Sequence, residues 1–151
     1  MRYRYWDACC FLGWLRGESD KLDECKAGIR HAEQGKLTIV TSALTLAEVL
    51  WLKGKDPIPK DDRDKVRRFF ENDYIALYDV DRTIGELAQD VVWDHGVRPK
   101  DAVHVATALS GRERLGIEQL DTFDEKLIGL SATIGSPALP IGRPDLPQGL
   151  F

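Results

Sequence analysis

Arg2-Tyr3-Arg4-Tyr5-Trp6-Asp7 runs directly into Ala8-Cys9-Cys10-Phe11-Leu12. The leading residues read as a short strand, because aromatic side chains suit a pleated, half-buried surface and no turn residue interrupts them. The apolar run that follows reads as a helix, so an acid stands at a strand-to-helix join. In open α/β sheets, chemistry collects beyond the carboxyl ends of the strands. Asp7 is therefore the first candidate functional residue, and the rest of the chain is read for acids that reach the same edge.

Outward from that join, Gly13 loosens the first helix, which ends near Gly17. Ser19 or Asp20 is expected to cap a second helix, in which Leu22, Cys25, Ile29 and Ala32 recur at helical spacing and Gly35 closes the end. Residues 37–41 form a β-branched strand. Thr45 opens a helix with Leu46, Val49 and Leu50 as its buried stripe and Gly54 as its stop. After a loop over residues 55–59, Asp61 or Asp62 caps a charged helix whose apolar face is Val66, Phe69 and Phe70. Residues 74–78 are a third strand. Asp81 caps a long helix stopped at His95-Gly96, and Pro99 opens another that buries Ala102, Val105, Ala106 and Leu109. Residues 116–121 give a weak fourth strand and residues 125–128 a short helix.

From Ser131 the character changes. Pro137, Pro140, Pro144 and Pro147 mark a tail (131–151) that is an extended wrap or a loose end, not a second domain. Strands separated by helices make βαβ units, hence an α/β fold with a mostly parallel sheet covered on both faces. A chain of 151 residues builds this as a single domain, 1–151, with a core over about 1–139.

Charge narrows the function. A net charge of −4 argues against a protein that coats nucleic acid through bulk positive charge, and leaves room for an enzyme that meets phosphate through metal ions. No apolar run approaches the ~20 residues that cross a bilayer, and Trp6-Asp7 interrupts any N-terminal signal segment. No membrane association and a cytoplasmic location are expected. Cys9, Cys10 and Cys25 show no zinc spacing and read as reduced, mostly packed thiols.

Four segments place acids at strand-to-helix junctions: Asp7, Glu48, Asp101, and the pair Asp121 and Asp124 around Thr122-Phe123. Carboxylates gathered so closely raise one another's pKa unless something neutralises them, and Mg²⁺ or Mn²⁺ does so with a preference for oxygen ligands. Each acid also has an ordinary explanation. Thr45-x-x-Glu48 matches a capping box. Asp101 opposes a helix dipole. Asp7 and Asp124 can cap the helices that follow them. His104, three residues after Asp101, reads as a packed or hydrogen-bonded histidine, with substrate contact as the alternative. Thr122 is a hydroxyl partner for a carboxylate or a simple turn residue. No Gly-rich phosphate loop and no G-x-S-x-G elbow is present.

Residues 6–12 (WDACCFL), 41–50 (TSALTLAEVL), 101–109 (DAVHVATAL) and 122–127 (TFDEKL) resemble, in order and spacing, the four motif blocks of PIN domains. The resemblance spans roughly residues 3–139, and the chain's size is similar to that of VapC-type toxins. It implies a three-layer α/β/α sandwich and a Mg²⁺- or Mn²⁺-dependent ribonuclease, dimeric and held by a small antitoxin. It maps the four catalytic acids to Asp7, Glu48, Asp101 and Asp124, with Thr122 as supporting hydroxyl. Two departures stand out. Ala8 replaces the hydroxyl residue usual after the first acid, and Asp121 is an extra acid, taken here as an outer helper. The mechanism implied is phosphodiester hydrolysis in which Asp7 and Asp101 hold one cation, while Glu48 and Asp124 hold a second or orient water. It would leave a 5′-phosphate and a 3′-hydroxyl.

Arg98 and Lys100, flanking the third acid, are the candidates for binding RNA, with Arg112, Arg114, Lys53 and Lys55 further afield. Val66, Phe69, Phe70 and Trp51 are candidates for association between copies. A silent PIN-fold scaffold and a receiver-type signalling domain are the rival readings. Retention of all four acids argues against the first. The single Asp ending the N-terminal strand, with no acidic pair beside it, argues against the second.

Overall fold

The computed structural model describes residues 2–52 and 54–146; Lys53 and Pro147, named above, lie outside them. Five strands, β1 (Arg2–Trp6), β2 (Leu37–Ser42), β3 (Ile75–Tyr78), β4 (Leu120–Asp121) and β5 (Ile141–Gly142), form one sheet in the order β3-β2-β1-β4-β5. All of its pairings are parallel. Seven helices connect or flank them: α1 (Ala8–Leu15), α2 (Leu22–Glu33), α3 (Leu44–Glu48), α4 (Arg63–Phe70), α5 (Arg82–His95), α6 (Pro99–Leu115) and α7 (Glu125–Ile128).

Strand alternation divides the core in two. Tyr5 and Val40 face one way and pack with Ala88, Val91, Val105 and Ala106 of α5 and α6. Trp6 and Ile39, one residue along, face the other way and pack with Phe11, Cys25, Ile29 and Phe70 of α1, α2 and α4. A side-chain period of two on a strand buried on both faces produces this split, and with it the α/β/α sandwich expected. The local signals of α5 and α6 hold. The Asp81 side chain accepts from Ile84 N at 2.9 Å. Gly96 takes the left-handed conformation after α5, as Gly116 does after α6, and Pro99 starts α6.

Four local expectations change. α2 is not capped by Ser19 or Asp20: the Glu18 carbonyl accepts from both Lys21 N and Leu22 N at 2.9 and 2.8 Å, taking the donors those side chains would have met. Neither Asp61 nor Asp62 caps α4 through its side chain, because a 3₁₀ turn over Lys60–Asp62 leads into it. α3 stops after five residues, and tight bonds from Leu50 N to Ala47 O and from Trp51 N to Glu48 O carry the chain away. Val49 is buried, but Leu46 and Leu50 are exposed and line a groove with Ile58, Val66 and Phe70. In the described part of the proline-rich tail, residues 141–142 pair with β4 as an edge strand, so packing continues past residue 139.

Candidate active site

The sheet order places a reversal between β1 and β4, since the chain moves outward in one direction to β2 and β3 and in the other to β4 and β5. A crevice opens at such a reversal beyond the strand ends. Asp7 sits there. Its backbone N–H donates to Asp121 O at 3.3 Å, extending the Trp6–Asp121 register by one bond.

The Asp7 carboxylate, 6% exposed, is held from three sides. Oδ2 accepts from the Thr122 hydroxyl at 2.5 Å. Oδ1 accepts from the Cys9 thiol at 2.8 Å and, at 3.4 Å, from Cys10 N, which makes Asp7 also the cap of α1. Thr122 Oγ1 in turn accepts from Asp124 N at 3.0 Å. Asp124 Oδ1 caps α7 through Lys126 N and Leu127 N. The ordinary capping role and the placement at the crevice therefore coincide for both acids. Cys9 supplies the donor that Ala8 cannot, a contact set by the turn at Asp7 and absent from any sequence spacing rule.

Glu48 arrives from the last residue of α3. The capping box does not form: Thr45 Oγ1 lies 2.7 Å from Thr41 Oγ1, and Glu48 Oε1 lies 2.6 Å from His104 Nε2. His104, 2% exposed, is the hydrogen-bonded histidine expected, with its other ring nitrogen 2.6 Å from the Tyr5 hydroxyl. Asp101 enters from the first turn of α6. Its pKa is raised, first by burial and then by the charges of Asp124, Asp7 and Glu48, with His104 opposing. Asp101 and Asp124 line the same cleft.

Asp121 stands apart. Arg4 donates to its Oδ1 at 2.6 and 3.1 Å, Gln119 Nε2 at 2.9 Å, and Trp6 Nε1 to Oδ2 at 3.0 Å. Burial pushes its carboxyl up to about 7 against the pull of Arg4. Its side chain ties β4 to β1, and its backbone carbonyl receives Asp7 N.

A cleft of about 440 Å³ adjoins the acids, lined by Val97, Arg98, Asp101, Asp124, Lys126 and Leu127 among others. Arg98 is where the sequence placed it. Lys100 is exposed and lies outside that lining. Lys126, two residues after Asp124, was missed, though its spacing was the available signal. The remaining cations are elsewhere: Lys55 pairs with Glu18, Arg112 bonds the Pro137 carbonyl, and Arg114 borders Tyr78 and Asp81. Of the association candidates, Val66 and Phe70 are buried, Phe69 is half-buried and Trp51 is largely exposed.

Asp7, Cys9 and Cys10 bring an oxygen and two sulfurs within 4.8 Å of one another. The Cys10 thiol is raised well above its usual pKa by burial and donates to Asp121 O, as a packed thiol does. The carboxylates of Asp7, Glu48, Asp101 and Asp124 are the hard oxygen donors that fit Mg²⁺ or Mn²⁺.

The family described as PIN domain matches residues 4–131. The chain belongs to the PIN domain family. PIN domains are typically nucleases and generally bind divalent metal ions, which supports nuclease chemistry and a divalent metal here. Membership also removes the receiver-type alternative. No curated protein matches the chain. Among solved structures this PIN domain is similar to a toxin-antitoxin complex from Klebsiella pneumoniae, at 18% identity over 95% of this chain and 99% of that one, with a TM-score of 0.61. At that identity the likeness shows the fold. Among the described residues, no helix is long and apolar enough to cross a membrane.

Proposed function

We propose that this PIN domain is a Mg²⁺-dependent endoribonuclease, with Mn²⁺ as a working substitute, and that it is the toxin of a cytoplasmic type II toxin–antitoxin pair. The observation that carries the reading is geometric: Asp7 stands at the β1–β4 reversal and Asp101 and Asp124 line one cleft, a gathering of acids that also raises the Asp101 carboxyl. Such a cluster is costly without a cation and well matched to one. When bound, the metal supplies positive charge against the phosphoryl oxygens and acidifies water for attack.

The chain's own groups do the rest. Asp7 and Asp101 are the primary cation ligands, with Glu48 and Asp124 as a second pair that holds metal or orients water. Thr122 and Cys9 fix both oxygens of Asp7, so the ligand needs little reorganisation. Arg98 and Lys126 border the cleft beside the acids and are suited to phosphates flanking the scissile bond, with Lys100 as a more distant contact. Hydrolysis would leave a 5′-phosphate and a 3′-hydroxyl.

The antitoxin reading draws on the structural neighbour, which is itself a toxin-antitoxin complex. The groove of Leu46, Leu50 and Ile58, rimmed by Lys60, Arg63 and Arg67, suits an acidic, amphipathic partner segment. A homodimer is part of the same reading. The test is cleavage of a labelled mixed RNA pool with Mg²⁺, Mn²⁺ or EDTA, comparing wild type with Asp7→Asn and Asp101→Asn. Metal-dependent cutting lost at least about 100-fold in both variants is expected, as for removal of charge stabilisation at a reacting centre. Equal cutting in EDTA, or by Asp7→Asn, would refute the assignment.

A further inference from the structure

We propose that His104 is a positioning residue for Glu48, anchoring that carboxylate to the central strand so that it faces the other acids in one fixed orientation. The inference rests on the metal-centre reading above and deepens it.

Glu48 needs such help. It ends a helix of five residues, followed by turns, and a glutamate held in one rotamer gives up the freedom of a long side chain. His104 comes from the much longer α6, is 2% exposed, and bonds Glu48 Oε1 at 2.6 Å through Nε2. That bond occupies one carboxylate oxygen and so determines where Oε2 turns. The ring is itself fixed. Nδ1 lies 2.6 Å from the hydroxyl of Tyr5, which is fully buried in β1. The two rings meet edge to face with centroids 5.7 Å apart.

Proton placement supports a donor to Glu48 in either charge state of the ring. In the neutral ring with Nε2–H, Nδ1 accepts the Tyr5 hydroxyl proton and Nε2 donates to Glu48. In the charged ring both nitrogens donate, with Nδ1–H toward the Tyr5 oxygen. The remaining neutral tautomer would set a lone pair against a carboxylate and is disfavoured. His104 also lies one helical turn from Asp101, so the same rigid segment that delivers one acid registers another against it. A metal ligand oriented by a buried outer partner binds more tightly than one left to rotate.

The experiment is Mn²⁺ titration by calorimetry of the full chain, for wild type, His104→Leu, His104→Gln, Glu48→Gln and the His104→Leu/Glu48→Gln double variant. His104→Leu is expected to weaken Mn²⁺ binding about 10- to 100-fold, the effect usual for an outer-shell partner. His104→Gln, which keeps an N–H toward Glu48 and an acceptor for Tyr5, should recover most of that loss. In the Glu48→Gln background, His104→Leu should change affinity less than about twofold, because coupled residues lose additivity. Wild-type affinity in His104→Leu, or an equal loss in both backgrounds, overturns the inference. Should His104→Leu fail to fold, His104→Asn, too short to span both partners, replaces it in the cycle against His104→Gln. A wild type that binds no Mn²⁺ overturns the metal-centre reading itself, a result separate from either of the others.

Discussion

Gly28→Ala sets two effects of opposite sign against each other. Gly28 lies inside α2, where alanine is favoured over glycine by about 1 kcal/mol on helix propensity alone. A Cβ at this position, however, would stand 2.8 Å from Trp6 Cζ2. That atom is not the loose end of a flexible side chain. Trp6 is 1% exposed, packs edge-on against Phe11 at 5.2 Å, and donates its indole N–H to Asp121. Forcing a methyl into such a core costs about 1–3 kcal/mol, so after the propensity gain a net loss of about 1 kcal/mol, and no more than about 2, is expected. At about 2–4 °C per kcal/mol for a domain of this size, the melting temperature should fall by about 2–4 °C. Gly85→Ala is the internal control. It too is helical, in α5, with nothing within 4 Å of its built Cβ, so propensity acts alone and the variant should melt higher. Thermal unfolding followed by circular dichroism measures both. A Gly28→Ala variant that melts above wild type would mean that Trp6 moves aside freely, and would refute the argument that it braces the strand carrying Asp7.

Thr122→Val keeps shape but removes the hydroxyl shared by Asp7 and Asp124 N. Loss of a hydrogen bond to a charged group costs about 1.5–3 kcal/mol, so a roughly 10- to 100-fold fall in RNA cleavage is expected; unchanged cleavage rates would show that Asp7 needs no such tether. Asp101→Asn should stabilise the metal-free protein at neutral pH. The folded state raises the pKa of this carboxyl, so wild-type stability declines as pH climbs from the ordinary carboxylate value of 3.8 through the raised one. The advantage of the variant should therefore be present at pH 7 and vanish below the ordinary value, as urea unfolding across pH would record.

What the sequence revealed was what local chemistry decides. Asp81 and Gly96 bound α5, and Pro99 opens α6, through bonds within a few residues, and the strand-ending acids followed from the βαβ pattern. Contacts made across the chain were hidden. Arg4 meets Asp121 117 residues away, a tie between strands that no local pattern announces. Tyr5 and Glu48 meet at His104 only because β1, α3 and α6 converge. The strand Ile141–Gly142 has no propensity worth reading and exists because β4 offers it an edge. Leu46 and Leu50 had helical spacing, but a spacing rule does not reveal that the helix stops at Glu48.

The sheet order has a consequence for biosynthesis. Asp7, Glu48 and Asp101 are all made before β4, yet β4 is the neighbour of β1 and brings Thr122 and Asp124 with it. A growing chain therefore carries its first three acids while Asp7 still lacks the Thr122 hydroxyl and Arg4 its carboxylate partner. Domains fold as their segments emerge, and here the segment that brings Thr122 and Asp124 emerges after the other three acids. On the function proposed above, a nascent copy would lack Thr122 and Asp124 at its site until residues 122–124 are made.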